Sequence, residues 1–273
     1  MKEGRMALKV GIAGLGAIGL HLAKALDQGV DGLELVAVAA RDHAKAGANL
    51  AGFRKQPAIT SLAGLADVAD IVVEAAPAAV FEEVATAAIA KGRIFVPSSC
   101  GALLPRMHLI EAAKRSGARI IVPTGALLGL DAVRAAAEGS VESVTIETRK
   151  PPRGLVGAPY LEKHRIDVTV ITTKTLVFKG NAFDAAQGFP ANVNVAAALA
   201  LAGIGPERTM VEIWADPEVT RNTHTIRVEA AAARLTMTIE NVPSEENPRT
   251  GKITPLSILA CLRGLTSTLK VGS

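Results

Sequence analysis

Three glycines, Gly14, Gly16 and Gly19, close an apolar run and open a helical one, and no other feature restricts the fold as tightly. Residues 8–13 (Leu-Lys-Val-Gly-Ile-Ala) read as a buried strand. Residues 18–26 carry apolar side chains at helical spacing, with His21 and Lys24 turned to solvent. In a strand–turn–helix of this kind the first glycine permits the tight turn and the second lets backbone approach a pyrophosphate. The third allows close packing of helix on strand. The helix N-terminus, at Ala17 and Ile18, adds free N–H groups and the positive end of a dipole. G-x-G-x-x-G by itself is a weak signal; after a strand and before a helix it reads as a dinucleotide-binding turn.

The alternation continues. Strands are expected at 33–39, 70–74, 93–97 and 118–122, and helices at 81–90 and 104–116. Strands and helices in this rhythm imply an α/β fold with an N-terminal Rossmann domain, a doubly wound parallel sheet. After Pro123 the pattern changes to a helix at 130–138 and period-two strands at 143–148, 175–180, 208–215, 223–229 and 233–240. Such strands form a sheet with one covered and one more open face, hence a second α+β mixed-sheet domain. A helix is expected at 192–202. A last apolar helix at 253–268 is expected to pack back on the first domain. The reading is residues 1–123 plus 253–273 for the dinucleotide and 124–252 for substrate binding, catalysis and dimerisation.

Composition removes several function classes. Aromatic residues are 3% of the chain, so stacking platforms for single-stranded nucleic acid are nearly absent. The net charge of +4 is small and its basic residues are scattered, so no nucleic-acid partner is expected. Cys100 and Cys261 are the only cysteines, which excludes a disulfide scaffold and a multi-cysteine zinc site, and no metal is expected. No signal peptide and no membrane-spanning apolar run is read, so a cytoplasmic protein without a membrane partner is expected. The open sheet face of the second domain predicts a homodimer.

Candidate site residues follow from position. The second strand ends Ala39-Ala40-Arg41-Asp42, with alanine where an acid for the adenosine ribose is usual. Arg41 either pairs with a 2′-phosphate or is a solvated loop residue, with Asp42 capping the next helix; the cofactor is therefore NAD or NADP. Ala76 and Ser98 lie in loops at the carboxyl ends of parallel strands, where a cofactor crevice forms. Of the five histidines, His21, His43 and His108 read as surface residues and His164 as part of a charged cluster. His224 alone stands at the start of a second-domain strand, and histidine is the side chain best suited to carry a proton near neutral pH. Asn192 and Asn194 straddle the start of a helix, where an amide either caps the helix or reaches a ligand. Lys150, Arg153 and Lys163 are the candidate cations for substrate carboxylates.

Gly-Leu-Gly-Ala-Ile-Gly at 14–19, the Pro123-Thr124-Gly125-Ala126 turn, Phe189-Pro-Ala-Asn-Val-Asn-Val and Asn222-Thr-His-Thr-Ile together resemble the L-aspartate dehydrogenase family over nearly the whole chain. The resemblance implies NAD(P)-dependent oxidation of L-aspartate to iminoaspartate, which hydrolyses to oxaloacetate and ammonia, in the service of pyridine nucleotide biosynthesis. It implies His224 as the active-site histidine. It also implies that Ala126, with Gly125 beside it, and one of Asn192 or Asn194 contact the nicotinamide half of the cofactor. Other readings are a semialdehyde dehydrogenase with Cys100 as nucleophile and a non-catalytic dinucleotide sensor. A dihydrodipicolinate reductase is disfavoured, since paired histidines with a following lysine are missing.

Overall fold

The computed structural model describes residues 6–191, 193–245 and 251–272. The chain divides into two compact units. One comprises Met1–Ser99, Arg106–Pro123 and Thr254–Val271, the other Cys100–Pro105, Thr124–Ile253 and Gly272–Ser273.

The first unit begins with β1 (Leu8–Ala13), α1 (Ala17–Gln28), β2 (Leu33–Ala39), α2 (His43–Leu50), β3 (Ala58–Thr60) and α3 (Leu65–Val68). It continues with β4 (Ile71–Glu74), α4 (Phe81–Ala90), β5 (Ile94–Pro97), α5 (His108–Ser116) and β6 (Arg119–Ile120). The strands pair in parallel in the order β3-β2-β1-β4-β5-β6. This is the doubly wound arrangement, and the order reverses between β1 and β4. Val10, Ile12, Ile71, Val73 and Val96 are fully buried, as strands covered on both faces require.

Two expectations need correction here. Residues 104–116 are not one helix: Cys100–Arg106 is a 3-10 segment containing Pro105, and α5 starts only at His108. Proline has no N–H to give to an α-helical ladder, so the tighter segment ends beside it. The strand read at 70–74 is the fourth in the chain, because the short β3 precedes it.

The second unit contains α6 (Leu130–Ala137), β7 (Val141–Lys150), α7 (Pro159–Lys163), β8 (Thr175–Asn181), α8 (Ala182–Gly188) and α9 (Asn194–Ala202). After these come β9 (Thr209–Ala215), β10 (Asn222–Ala230) and β11 (Arg234–Asn241). Its sheet runs β11-β10-β7-β9-β8, with β7 and β9 parallel and the other pairs antiparallel. Val144, Ile146, Ile226 and Val228 are buried on one face, and α6, α8 and α9 pack on the sheet. The other face carries ion pairs, Glu147 with Lys174 and Arg227, and Lys179 with Glu212. There Lys174 also stands 4.5 Å from the centre of the Trp214 ring. Asn192, read as the first residue of the helix at 192–202, lies outside the described residues, and α9 is described from Asn194.

The last helix, α10 (Ile253–Thr266), buries Ile258 and Leu262 in one cluster with Val10, Leu22, Leu35 and Val73 of the first unit. No described helix is long and apolar enough to cross a membrane.

Candidate active site

The turn after β1 is shaped by its three glycines in different ways. Gly14 has φ +94°, and a Cβ there would stand 2.5 Å from the Ala75 carbonyl oxygen. A Cβ at Gly19 would run into the Gly14 carbonyl oxygen, so both positions are closed by backbone. Gly16 is different: a Cβ would meet nothing within 4 Å. It caps α1 with no side-chain hydrogen bond, and the first turn of that helix, with Ala17, Ile18 and Gly19, holds no acidic residue. An open backbone approach at an uncapped helix start fits a pyrophosphate. A nicotinamide dinucleotide would therefore be held by the N–H groups of this turn.

The neighbouring loops are tied to the turn by backbone and by one buried acid. Gly14 N–H donates to Ala39 O at 2.7 Å and Ala75 N–H to Ala13 O at 2.8 Å. Glu74, fully buried at the end of β4, accepts from Ala76 N at 3.1 Å, Ser99 N at 3.0 Å and Ser99 Oγ at 3.2 Å. Burial raises the Glu74 pKa above the ordinary value against the opposing effect of these bonds. The carboxyl fixes the loops bearing Ala76 and Ser98, whose N–H donates to Glu74 O at 2.8 Å. Sequence reading places Glu74 at the head of the loop after this strand but gives it no role, although an acid ending an otherwise apolar strand is a visible signal. Past β2, Arg41 is exposed, and Asp42 caps α2 by accepting from Lys45 N at 2.9 Å.

In the second unit, polarity is concentrated at one end of the sheet. Among the described residues there, Thr148, Lys150, Asp216, Thr223, His224 and Asn241 are buried polar side chains gathered at that end, and Thr209 lies at the other. Register assembles them: His224 faces Thr148, Thr223 faces Arg149, Asn222 faces Asn241 and Lys150 faces Ala215. Alternation puts Thr148, Lys150, His224 and Asn241 on the face of Ile146 and Ile226. His224 Nδ1 and Thr148 Oγ1 share a hydrogen bond of 3.0 Å. Burial, followed by the Lys150 charge, brings the His224 pKa down to about 3, so the imidazole is neutral near pH 7. Burial likewise lowers Lys150 to about 8. On the opposite face Arg149 pairs with Asp216 at 2.8 and 2.6 Å, holding that carboxyl below its usual range although burial opposes it.

Among the remaining candidates, His21, His43, His108 and His164 are exposed, as are Arg153 and Lys163. Gly125 takes φ +65°, and the Ala126 carbonyl accepts from Asn241 Nδ2 at 3.0 Å. Asn241 was missed by sequence reading; its buried Oδ1 has no partner among the described residues. Asn194 Oδ1 accepts from Gly101 N at 3.0 Å, so a ligand contact would fall to its NH2 group. Asn192 lies outside the described residues. Cys100 is buried and its thiol donates to the Asn194 carbonyl at 3.0 Å, the setting of a structural thiol rather than a nucleophile.

The doubly wound fold and its open glycine turn are those of an oxidoreductase that uses a nicotinamide dinucleotide. Residues 14–123 match the NAD-binding domain of homoserine dehydrogenase, and residues 131–265 match the C-terminal domain of aspartate dehydrogenase. The chain is 53% identical to an L-aspartate dehydrogenase of Bradyrhizobium diazoefficiens, covering 97% of this chain and 94% of that one. It is 49% identical to L-aspartate dehydrogenase 3 of Bordetella bronchiseptica, covering 98% and 99%. The crystal structure of aspartate dehydrogenase from Thermotoga maritima superposes with a TM-score of 0.74 at 28% identity, covering 97% of this chain and 99% of that one. The chain belongs to the aspartate dehydrogenase family.

Proposed function

We propose that the protein oxidises L-aspartate with NAD or NADP to iminoaspartate, which water converts to oxaloacetate and ammonia. The observation that carries the reading is the buried His224, hydrogen-bonded to Thr148, in the unit that matches the aspartate dehydrogenase C-terminal family. When bound, the nicotinamide supplies a hydride acceptor for the substrate Cα. His224 takes up the proton released as the substrate ammonium becomes an imine, and it returns a proton in the reverse direction. Gly14, Gly16, Ala17, Ile18 and Gly19 hold the pyrophosphate. Ala76 and Ser98 of the first unit, and Gly125, Ala126 and one of Asn192 or Asn194, are the residues we assign to the nicotinamide half. Arg41, exposed where an acid is usual, accommodates a 2′-phosphate as readily as free hydroxyls, which supports use of either dinucleotide.

Residues 1–123 with 253–273 act as the dinucleotide domain, and 124–252 bind substrate and dimerise. The charged, half-exposed sheet face around Glu147, Arg227 and Trp214 is the surface a second copy covers, and light scattering is expected to return a dimer mass. A monomer mass at micromolar protein contradicts this. Two free thiols suit a reducing cytoplasm, and iminoaspartate is a reactive product suited to feed pyridine nucleotide synthesis.

The test is direct. Purified protein with L-aspartate and NAD or NADP is expected to show growing absorbance of the reduced nicotinamide, while homoserine and aspartate semialdehyde give none. Turnover confined to an alcohol or aldehyde substrate overturns the reading.

A further inference from the structure

We infer that Glu74 is a positioning residue for the nicotinamide half of the cofactor, its carboxylate tying together the loops after β4 and β5 that carry Ala76 and Ser98. The inference rests on the assignment of those two residues made above. It gives a role to a side chain that neither the sequence motifs nor the family resemblance singles out. Glu74 closes β4, whose other residues, Ile71, Val72 and Val73, are apolar and buried, and it is itself fully buried. Strand register sets it beside Ala13 of β1 on one side and Pro97 of β5 on the other. The strand order reverses between β1 and β4, and a ligand crevice forms outside the carboxyl ends of the strands at such a point. Glu74 therefore stands at the crevice end of the sheet.

Main-chain bonds hold these loops for one residue past each strand. Ala75 N–H donates to the Ala13 carbonyl at 2.8 Å and Ser98 N–H to the Glu74 carbonyl at 2.8 Å. The next N–H on each loop, of Ala76 and of Ser99, goes to the Glu74 carboxylate instead, at 3.1 and 3.0 Å, and Ser99 Oγ adds a bond at 3.2 Å. One oxygen takes Ala76 N and Ser99 Oγ while the other takes Ser99 N, so a single side chain sets the spacing of both loops. A buried carboxylate is costly unless it is hydrogen-bonded, and the bonds that Glu74 accepts run to loop groups beyond the sheet. Holding such groups in place is what a loop that lines a ligand requires. The phosphate turn is fixed differently, by the main-chain bonds from Gly14 N–H to the Ala39 carbonyl and from Ala75 N–H to Ala13. Loss of the carboxylate is therefore felt at the nicotinamide half and not at the pyrophosphate.

Glu74→Gln and Ser99→Ala test this when titrated calorimetrically with NADH and with ADP-ribose, or with the 2′-phosphorylated pair. ADP-ribose keeps the adenosine and the pyrophosphate and lacks the nicotinamide. Glutamine preserves the size of the side chain, but in either orientation of its amide one backbone N–H, of Ala76 or of Ser99, meets an NH2 group. In Glu74→Gln the dissociation constant of the dinucleotide is expected to rise about 10-fold or more, with that of ADP-ribose at the wild-type value. Ser99→Ala removes one bond at a half-buried position and should show the same split at about 3-fold. An equal loss for both ligands overturns the proposal. So do unchanged affinities with a lower melting temperature, which would make Glu74 a structural residue. If Glu74→Gln does not fold, Ser99→Ala decides between the same outcomes. Ala76→Leu tests the underlying assignment by placing bulk in the loop itself, and it too should weaken the dinucleotide alone. Wild-type affinities in Ala76→Leu remove this loop from the nicotinamide half and the proposal with it. A split in Ala76→Leu without one in Glu74→Gln overturns the role of Glu74 alone.

Discussion

Replacing Gly16 by valine is expected to abolish dinucleotide binding while leaving the melting temperature at the wild-type value. The protein itself leaves room for the new side chain, since a Cβ at Gly16 meets nothing within 4 Å. What the side chain occupies is the approach of the pyrophosphate to the first turn of α1. Gly14→Val supplies the contrast. There φ is +94° and the Cβ would press on the Ala75 carbonyl, so the loss should appear in stability as well as in binding. Fluorescence titration with the reduced cofactor, run beside thermal melts of both variants, separates the two outcomes. Undiminished affinity in Gly16→Val refutes the assignment of this turn to phosphate.

His224→Ala is expected to lower kcat for aspartate about 10²–10⁴-fold with cofactor affinity unchanged. The imidazole is 3% exposed, so His224→Asn, which can keep a hydrogen bond to Thr148, accompanies it as a variant less prone to leave a cavity. If the histidine only anchors substrate, KM rises and kcat holds. The same group has a signature in stability. Its folded pKa of about 3 lies below the ordinary 6.5, so the unfolded chain binds the extra proton. Its contribution is complete above pH 6.5 and is lost as pH falls from 6.5 toward 3. Melts of the wild type across that window should steepen relative to His224→Asn, and parallel curves would contradict the buried neutral imidazole.

The parts of the fold that were legible in the sequence are those whose burial leaves a periodic trace. The run at 8–13 and the glycines after it determine β1, the turn and α1, because a strand covered on both faces has to be apolar throughout. Elements that bury little left no such trace. The three-residue β3 is half-exposed at a sheet edge, and α2 (His-Ala-Lys-Ala-Gly-Ala-Asn-Leu) buries only Ala46 and Leu50. Its one visible signal was Asp42, which does cap it.

The polar patch of the second unit was harder to read for a different reason. Thr148, Lys150, His224 and Asn241 are separated by as many as 93 positions and meet only through strand register. Chain order carries no record of that pairing. A local signal for Lys150 did exist. Carrying the buried alternation of Val144, Ile146 and Thr148 one step further reaches it, and a lysine on the inner side of a strand is a departure that asks for a chemical reason. Asn241 had no such marker, since an asparagine closing a strand reads as an ordinary turn residue.

Oxidation of L-aspartate by this chain moves a hydride from Cα to a nicotinamide. L-aspartate carrying deuterium at Cα, incubated with the protein and oxidised cofactor, tests it by mass spectrometry of the reduced nicotinamide. One deuterium is expected in the reduced cofactor, with oxaloacetate and ammonia formed in equal amount. Reduced cofactor without deuterium, or no reduction in the presence of aspartate, would contradict it.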